Sequence, residues 1–174
     1  MTSTPVAITG ASLDLDQVRQ VARSGRQAAL AVDARKRVAE AAALLSELTA
    51  TDQTIYGVNT GFGIFADRHI QPQQSAKLSS NLILSHAAGV GEAFPEDVVR
   101  AAMLIRANTL AGGHSGVRPV IIETLLDMLN AAITPVVPSQ GSLGSSGDLA
   151  PLAHLTLVML DIDKAVNAGG AQAW

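Results

Sequence analysis

The run Gly141-Ser142-Leu143-Gly144-Ser145-Ser146-Gly147-Asp148-Leu149-Ala150-Pro151-Leu152-Ala153-His154 places a serine-glycine step among small residues, directly ahead of an apolar stretch. Glycine has no Cβ to block a close approach, so the backbone at Ser146-Gly147 can bend until the Gly147 amide nitrogen meets the carbonyl of Ser145. That attack would close a ring of main-chain atoms, a route to a prosthetic group built from the chain itself. Read as ordinary structure, the same run is a Gly/Ser loop leading to an Asp148 helix cap with Pro151 in the first turn. This explains the end of the run but not its whole.

The segment resembles the aromatic amino acid ammonia-lyases, most closely the histidine-specific members, which carry Gly-Ser-x-Gly-Ala-Ser-Gly-Asp-Leu-x-Pro-Leu-Ala at this point. One position departs: Ser145 stands where the family usually has alanine. The resemblance implies that Ser145-Ser146-Gly147 cyclises and loses two waters to give 4-methylideneimidazol-5-one, with no external cofactor. Ser146 would supply the methylidene carbon, Gly147 the attacking nitrogen and Ser145 the ring carbonyl, with Gly144 and Asp148 supporting the group. The ring is backbone, so serine in place of alanine adds only a hydroxyl. The chemistry calls for such an electrophile. The β-proton of an amino acid is hardly acidic and its amine is a poor leaving group, and covalent help lowers that barrier.

Tyr56-Gly57-Val58-Asn59-Thr60-Gly61-Phe62-Gly63 is the second match, and the resemblance makes Tyr56 the base that removes the β-proton. A phenol with an ordinary pKa near ~10 needs nearby positive charge or donors for that work. Without the resemblance this is a glycine-rich loop. It lacks the Gly-Lys-Ser/Thr ending of a phosphate-binding loop and the spacing of a dinucleotide fingerprint, which leaves a nucleotide-binding module as the weakest reading.

Ser85-His86-Ala87-Ala88-Gly89 is the third match and bears on substrate. Histidine-specific members look like this, whereas phenylalanine and tyrosine enzymes carry pairs such as Phe-Leu or His-Leu. The resemblance places Ser85, His86, Asn59 and Gly63 at the substrate, and an imidazole at 86 can hydrogen-bond a ring nitrogen or a phenol. Asn108 to Arg118 resembles another family stretch and reads as structural, Ser115-Gly116 being a turn between helices. His114 and His154 read as packing residues; no metal site is expected. Later family segments, among them an arginine that grips the substrate carboxylate, have no counterpart in this sequence.

With 174 residues, abundant apolar residues and sparse charge, the chain can bury one sizeable core. A net charge of -3 without basic clusters gives no footprint for nucleic acid or an anionic membrane. There is no cysteine, so disulfides and thiolate metal sites are excluded. No signal segment or membrane span is read from the sequence, and the cytoplasm is the expected location.

Helix signals dominate. Asp14 with Gln17 marks a start and Gly25 a stop. Val38, Ala41, Leu45 and Leu48 share one face of a second helix from Asp33. Pro72 opens a third, through Leu82, Ile83 and His86, and Pro95 a fourth, through Val98, Ala102, Ile105 and Arg106. Pro119 opens a fifth, with Ile122, Leu125, Leu126 and Leu129 on one apolar face. Leu149 to Leu160 reads as a buried helix. Thr54-Ile55-Tyr56 reads as a brief extended piece, and no sheet is expected.

The sequence therefore predicts an all-α fold with short extended connections, similar to the N-terminal region of the ammonia-lyase fold, with residues 1–174 as a single domain. The expected activity is ammonia elimination from an aromatic L-amino acid, L-histidine to urocanate first, as in histidine catabolism. Tyrosine or phenylalanine is the alternative substrate, and a catalytically silent partner protein the alternative role. The resemblance implies a homo-oligomer, a tetramer, with active sites assembled from several subunits, so that Tyr56 and the cyclised tripeptide would meet only in the oligomer.

Overall fold

A computed structural model describes residues 4–51, 54–63, 66, 68, 70, 72–143 and 146–160. Six helices appear among them: α1 (Leu15–Ser24), α2 (Val32–Thr49), α3 (Pro72–His86), α4 (Glu96–Ala111), α5 (Pro119–Asn130) and α6 (Leu149–Leu157). The helical prediction holds, but two small sheets accompany it where none was expected. Strands β1 (Val6–Ile8) and β2 (Ala28–Leu30) pair in parallel, with Val6 opposite Ala28 and Ile8 opposite Leu30. Strands β3 (Val90–Ala93) and β4 (Pro138–Gln140) pair antiparallel, with an irregularity between Val90 and Ala93. Runs of three or four residues are too short to show the alternation by which strands are recognised.

Local chemistry sets the helix ends. The Asp14 carboxylate accepts the Gln17 N–H at 2.7 Å and the Gln17 side chain accepts the Asp14 N–H at 3.0 Å, a reciprocal cap at the start of α1. Gly25 closes α1 in the left-handed region. Pro119 occupies the first turn of α5, whose Ile122, Leu125, Leu126 and Leu129 are all buried as the spacing predicts.

Helix α4 is the spine. It packs on α1, α5, α2 and β1, burying Val99, Met103, Leu104 and Ala107. The residues that trace this helix in the sequence, Val98, Ala102 and Ile105, lie on its exposed side. Apolar residues surround α4, so periodicity alone does not choose the inward face. Arg100 shares that buried face. Its Nε donates to Ala22 O at 3.1 Å, and its Nη2 to Val21 O at 3.1 Å and Leu129 O at 3.2 Å. One guanidinium thus satisfies the final carbonyls of α1 and α5, where the helix dipoles are negative. The Asn130 side chain trades hydrogen bonds with the Ala28 N–H and carbonyl, both at 2.9 Å, and so finishes the free edge of β2.

Helices α3 and α6 pack on each other beside β3 and β4. In the stretch Asn108–Arg118, Asn108 makes a structural tie. Asn108 Oδ1 accepts the Gly10 N–H at 3.1 Å and its Nδ2 donates to Ala11 O at 2.7 Å, tying α4 to the end of β1.

Candidate functional site

Residues 54–63 form a coiled loop with turns, not the extended piece expected at Thr54–Tyr56. Asn59 explains the difference. Its Oδ1 accepts the Ile55 N–H at 2.7 Å, and the Asn59 and Val58 amides donate to Ile55 O. This asparagine-centred turn competes with any strand pairing. Asn59 and Thr60 are buried, with Thr60 Oγ1 accepting the Gly57 N–H at 3.1 Å. The inward residues hold the loop while Tyr56 projects outward, 65% exposed and edge-on to Phe62 with ring centroids 6.1 Å apart.

Tyr56 and Phe62 form one wall of a cavity of about 530 Å³. The C-terminal half of α3 contributes Leu82, Ile83 and His86, one turn apart on a single face. Helix α6 supplies Leu149, Leu152, Ala153 and Thr156, and Arg106 reaches in from α4. The lining is largely apolar, with the phenol, the imidazole and the guanidinium as its polar groups of chemical interest.

The His86 ring is fixed by its own helix. Its Nδ1 lies 2.8 Å from Leu82 O and 3.1 Å from Ser85 Oγ, and Ser85 Oγ itself donates to Leu82 O at 2.9 Å. A carbonyl only accepts, so Nδ1 carries the proton in the neutral ring and Nε2 is left as an acceptor. Ser85 is exposed and sets this ring rather than facing the cavity. Asn59 and Gly63 likewise shape the loop and lie outside the cavity wall.

Helix α6 begins two residues after Gly147. Gly147 has φ +69°, with nothing within 4 Å of where a Cβ would stand. The glycine is required by the backbone bend, not by a close neighbour. Ser146, Gly147 and Asp148 are exposed, and Asp148 makes no side-chain cap bond to α6 despite standing at its N-cap. Gly147 and Asp148 line a second, apolar cavity of about 240 Å³ against Phe94, Val98 and Val137, and Leu152 lines both cavities. Gly144 and Ser145 lie outside the described residues.

His154 ties the two halves of the site. It is 6% exposed, and its Nε2 accepts the Gly89 N–H at 2.9 Å, joining α6 to the chain just beyond His86. A Cβ at Gly89 would fall 2.9 Å from that nitrogen and 3.1 Å from Pro138 Cβ, so only glycine fits there. Burial pushes the His154 pKa below its usual 6.5. Its Nδ1 is buried without a hydrogen-bond partner among the described residues.

Of the residues singled out in the sequence, Tyr56 and His86 meet at one cavity, with Ser146-Gly147-Asp148 at the head of the helix that floors it. Sequence reasoning missed Arg106, Phe62, Leu152 and Thr156 as wall residues. The signal was present in part: Leu149, Leu152, Ala153 and Thr156 recur at helical spacing immediately after the motif.

The sequence profile of the aromatic amino acid lyases matches residues 13–172. The histidine ammonia-lyase of Natranaerobius thermophilus is 46% identical over 168 residues, covering 97% of this chain and 33% of that protein. That of Treponema denticola is 48% identical over 165 residues, covering 95% and 32%. This chain therefore spans about a third of the length of these curated relatives. Among solved structures, ergothionase from Treponema denticola superposes with a TM-score of 0.86 at 31% identity, covering 98% of this chain and 37% of that one. Tyrosine aminomutase from Streptomyces globisporus superposes with a TM-score of 0.82 at 38% identity, covering 89% and 29%.

Proposed function

The chain belongs to the aromatic amino acid lyase family, and on that premise we propose that it serves in eliminating ammonia from an aromatic L-amino acid, with L-histidine to urocanate as the first choice. One observation carries the reading: Tyr56 and His86 face a single cavity lined by the helix that starts two residues after Gly147. The identity to histidine ammonia-lyases supports histidine as the substrate.

The reading calls for 4-methylideneimidazol-5-one formed from Ser145-Ser146-Gly147. The left-handed, unobstructed Gly147 fits the sharp bend that ring closure needs, and its exposed neighbours leave room for the group, which Gly144 and Asp148 would support. Once formed, the group supplies an electrophilic carbon that makes the amine a better leaving group. The chain's own residues do the rest. Tyr56 Oη takes the β-proton, with Phe62 holding its ring from the side. His86 Nε2 accepts a hydrogen bond from the substrate side chain, and Ser85 and Leu82 O fix that imidazole's orientation. Asn59 and Gly63 shape the loop that presents Tyr56. The apolar wall of α3 and α6 holds the ring and keeps water away from it.

An acceptor at His86 suits an imidazole N–H and equally a phenol O–H, which keeps tyrosine as the second substrate; phenylalanine offers no donor. The proposal further takes residues 1–174 as one domain bearing the prosthetic group, acting in a homotetramer in the cytoplasm.

The test pairs an intact mass with turnover. The purified chain is expected to be lighter by two waters, localised by peptide mapping to residues 145–147, and to give the near-ultraviolet absorbance of urocanate from L-histidine. Tyr56→Phe should keep the mass loss and lower kcat by roughly a hundredfold or more, as for removal of a general base. A full, unmodified mass would overturn the reading in favour of a catalytically silent protein.

A further inference from the structure

We propose that residues 88–90, where α3 gives way to β3, anchor both stems of the loop that carries Ser146-Gly147, and that His154 is the positioning residue that holds this loop for ring closure. The inference rests on the proposed prosthetic group and assigns the part of the fold that prepares it.

The loop leaves β4 at Gly141 and enters α6 at Leu149. On the entry side, β4 is held to β3 with Gln140 opposite Val90. Gly141 then approaches the same segment so closely that a Cβ would stand 3.0 Å from Gly89 Cα and 3.3 Å from Ala88 O, and its φ of +119° is one that side chains resist. On the exit side, His154 Nε2 accepts the Gly89 N–H at 2.9 Å from within α6. One glycine is thus gripped from both ends of the loop, by main-chain packing from Gly141 and by a hydrogen bond from His154. The Nδ1 of His154 has no partner among the described residues, so the bond to Gly89 is the ring's one polar tie among them. A helix is a stiff rod of hydrogen-bonded turns, so fixing His154 also fixes the first turn of α6 and Gly147 just ahead of it.

Ring closure needs such fixed stems. The Gly147 nitrogen bonds to the Ser145 carbonyl carbon, and the displaced oxygen leaves as water with the Gly147 and Ser146 N–H protons. A second water takes the Ser146 hydroxyl and α-proton, leaving a Cα–Cβ double bond. An amide nitrogen is a weak nucleophile, and the gain comes from holding the two atoms within reach, which a loop with free stems loses to chain entropy. His154 acts on this step through Gly89 and its own helix.

The test follows the loss of two waters by intact mass after cell-free synthesis of the chain, beside amide exchange of residues 142–148 by mass spectrometry. His154→Leu is expected to lose the waters about tenfold more slowly than the parent and to exchange the loop amides about tenfold faster, the scale of one hydrogen bond. His154→Gln, whose carbonyl can accept the Gly89 N–H, should restore both rates. Gly141→Ala should slow the dehydration from the other stem with His154 intact, and it alone decides where His154→Leu lacks the parent circular dichroism. Val38→Ala removes core packing on α2 and should lower the urea midpoint without changing either rate. Dehydration of His154→Leu or Gly141→Ala at the parent rate, no rescue by glutamine, or equal slowing by Val38→Ala would overturn the proposal. A parent of full mass would sink the ammonia-lyase reading and leave the anchor to be judged by exchange. Loop protection lost in His154→Leu and regained in His154→Gln then upholds it, and unchanged protection overturns it.

Discussion

His154 can hold Gly89 only while its imidazole is neutral, because protonation would put a proton on Nε2 facing the Gly89 N–H. Burial already lowers its pKa below 6.5. As pH falls through that value, the unfolded chain takes up a proton before the folded one does. Folding stability therefore declines on acidification from about 6.5 and levels off below the folded pKa. The informative quantity is the difference between parent and variant. His154→Gln keeps a side-chain acceptor and removes the titration. Its urea midpoint should lose less than the parent's between neutral and mildly acidic pH. His154→Leu should cost about 1–3 kcal/mol at neutral pH by leaving the Gly89 amide unpaired. Parallel pH dependence of parent and His154→Gln would show that this imidazole does not govern the acid limb.

At the scale of elements, Arg100 is the joint between helices. Its guanidinium serves carbonyls at the ends of both α1 and α5 from within the buried face of α4. Arg100→Ala removes these bonds and opens a cavity, and should destabilise the chain by about 3 kcal/mol or more in urea unfolding, with the helix content of the folded state unchanged. This joint was not legible in the sequence, where an arginine in an apolar run reads as a surface residue. Helix ends were legible wherever one local group decides them, as Asp14, Gln17 and Gly25 do for α1, and Pro119 for α5. The inward face of α4 was not, since it depends on partners far along the chain. On α2 only Ala34 and Val38 are fully buried, while Ala41, Leu45 and Leu48 of the predicted stripe are half covered. The loop before α3 misled for a local reason: the Asn59 side chain captured Ile55 and closed a turn where β-branched residues suggested extension.

Over the whole molecule, the cavity lies where the α3–α6 pair meets α4. Two of its wall residues, Tyr56 and His86, stood out in the sequence, but its cation did not, because only the packing brings Arg106 to them. No helix among the described residues is long and apolar enough to cross a membrane. Apolar surface remains, however, in the groove between α1 and α4. Leu15 is 89% exposed, Val98 47% and Ile105 51%, and all three line that groove. A second copy of the chain covering it would fit the proposed oligomer. Sedimentation velocity should then show mass rising with concentration, and Ile105→Glu should return the chain to a monomer. A parent that stays monomeric at high concentration would place any oligomer contact elsewhere.

Leu152 stands in the walls of both cavities, so one aliphatic side chain borders both the ring pocket and the space lined by Gly147 and Asp148. The depth of the pocket is therefore governed separately from its polar contacts. A smaller residue at 152 would merge the chambers and admit a bicyclic ring such as indole, while a bulkier one would confine the site to a single five- or six-membered ring. Size discrimination can thus evolve, or be engineered, at a position that carries neither the phenol nor the imidazole.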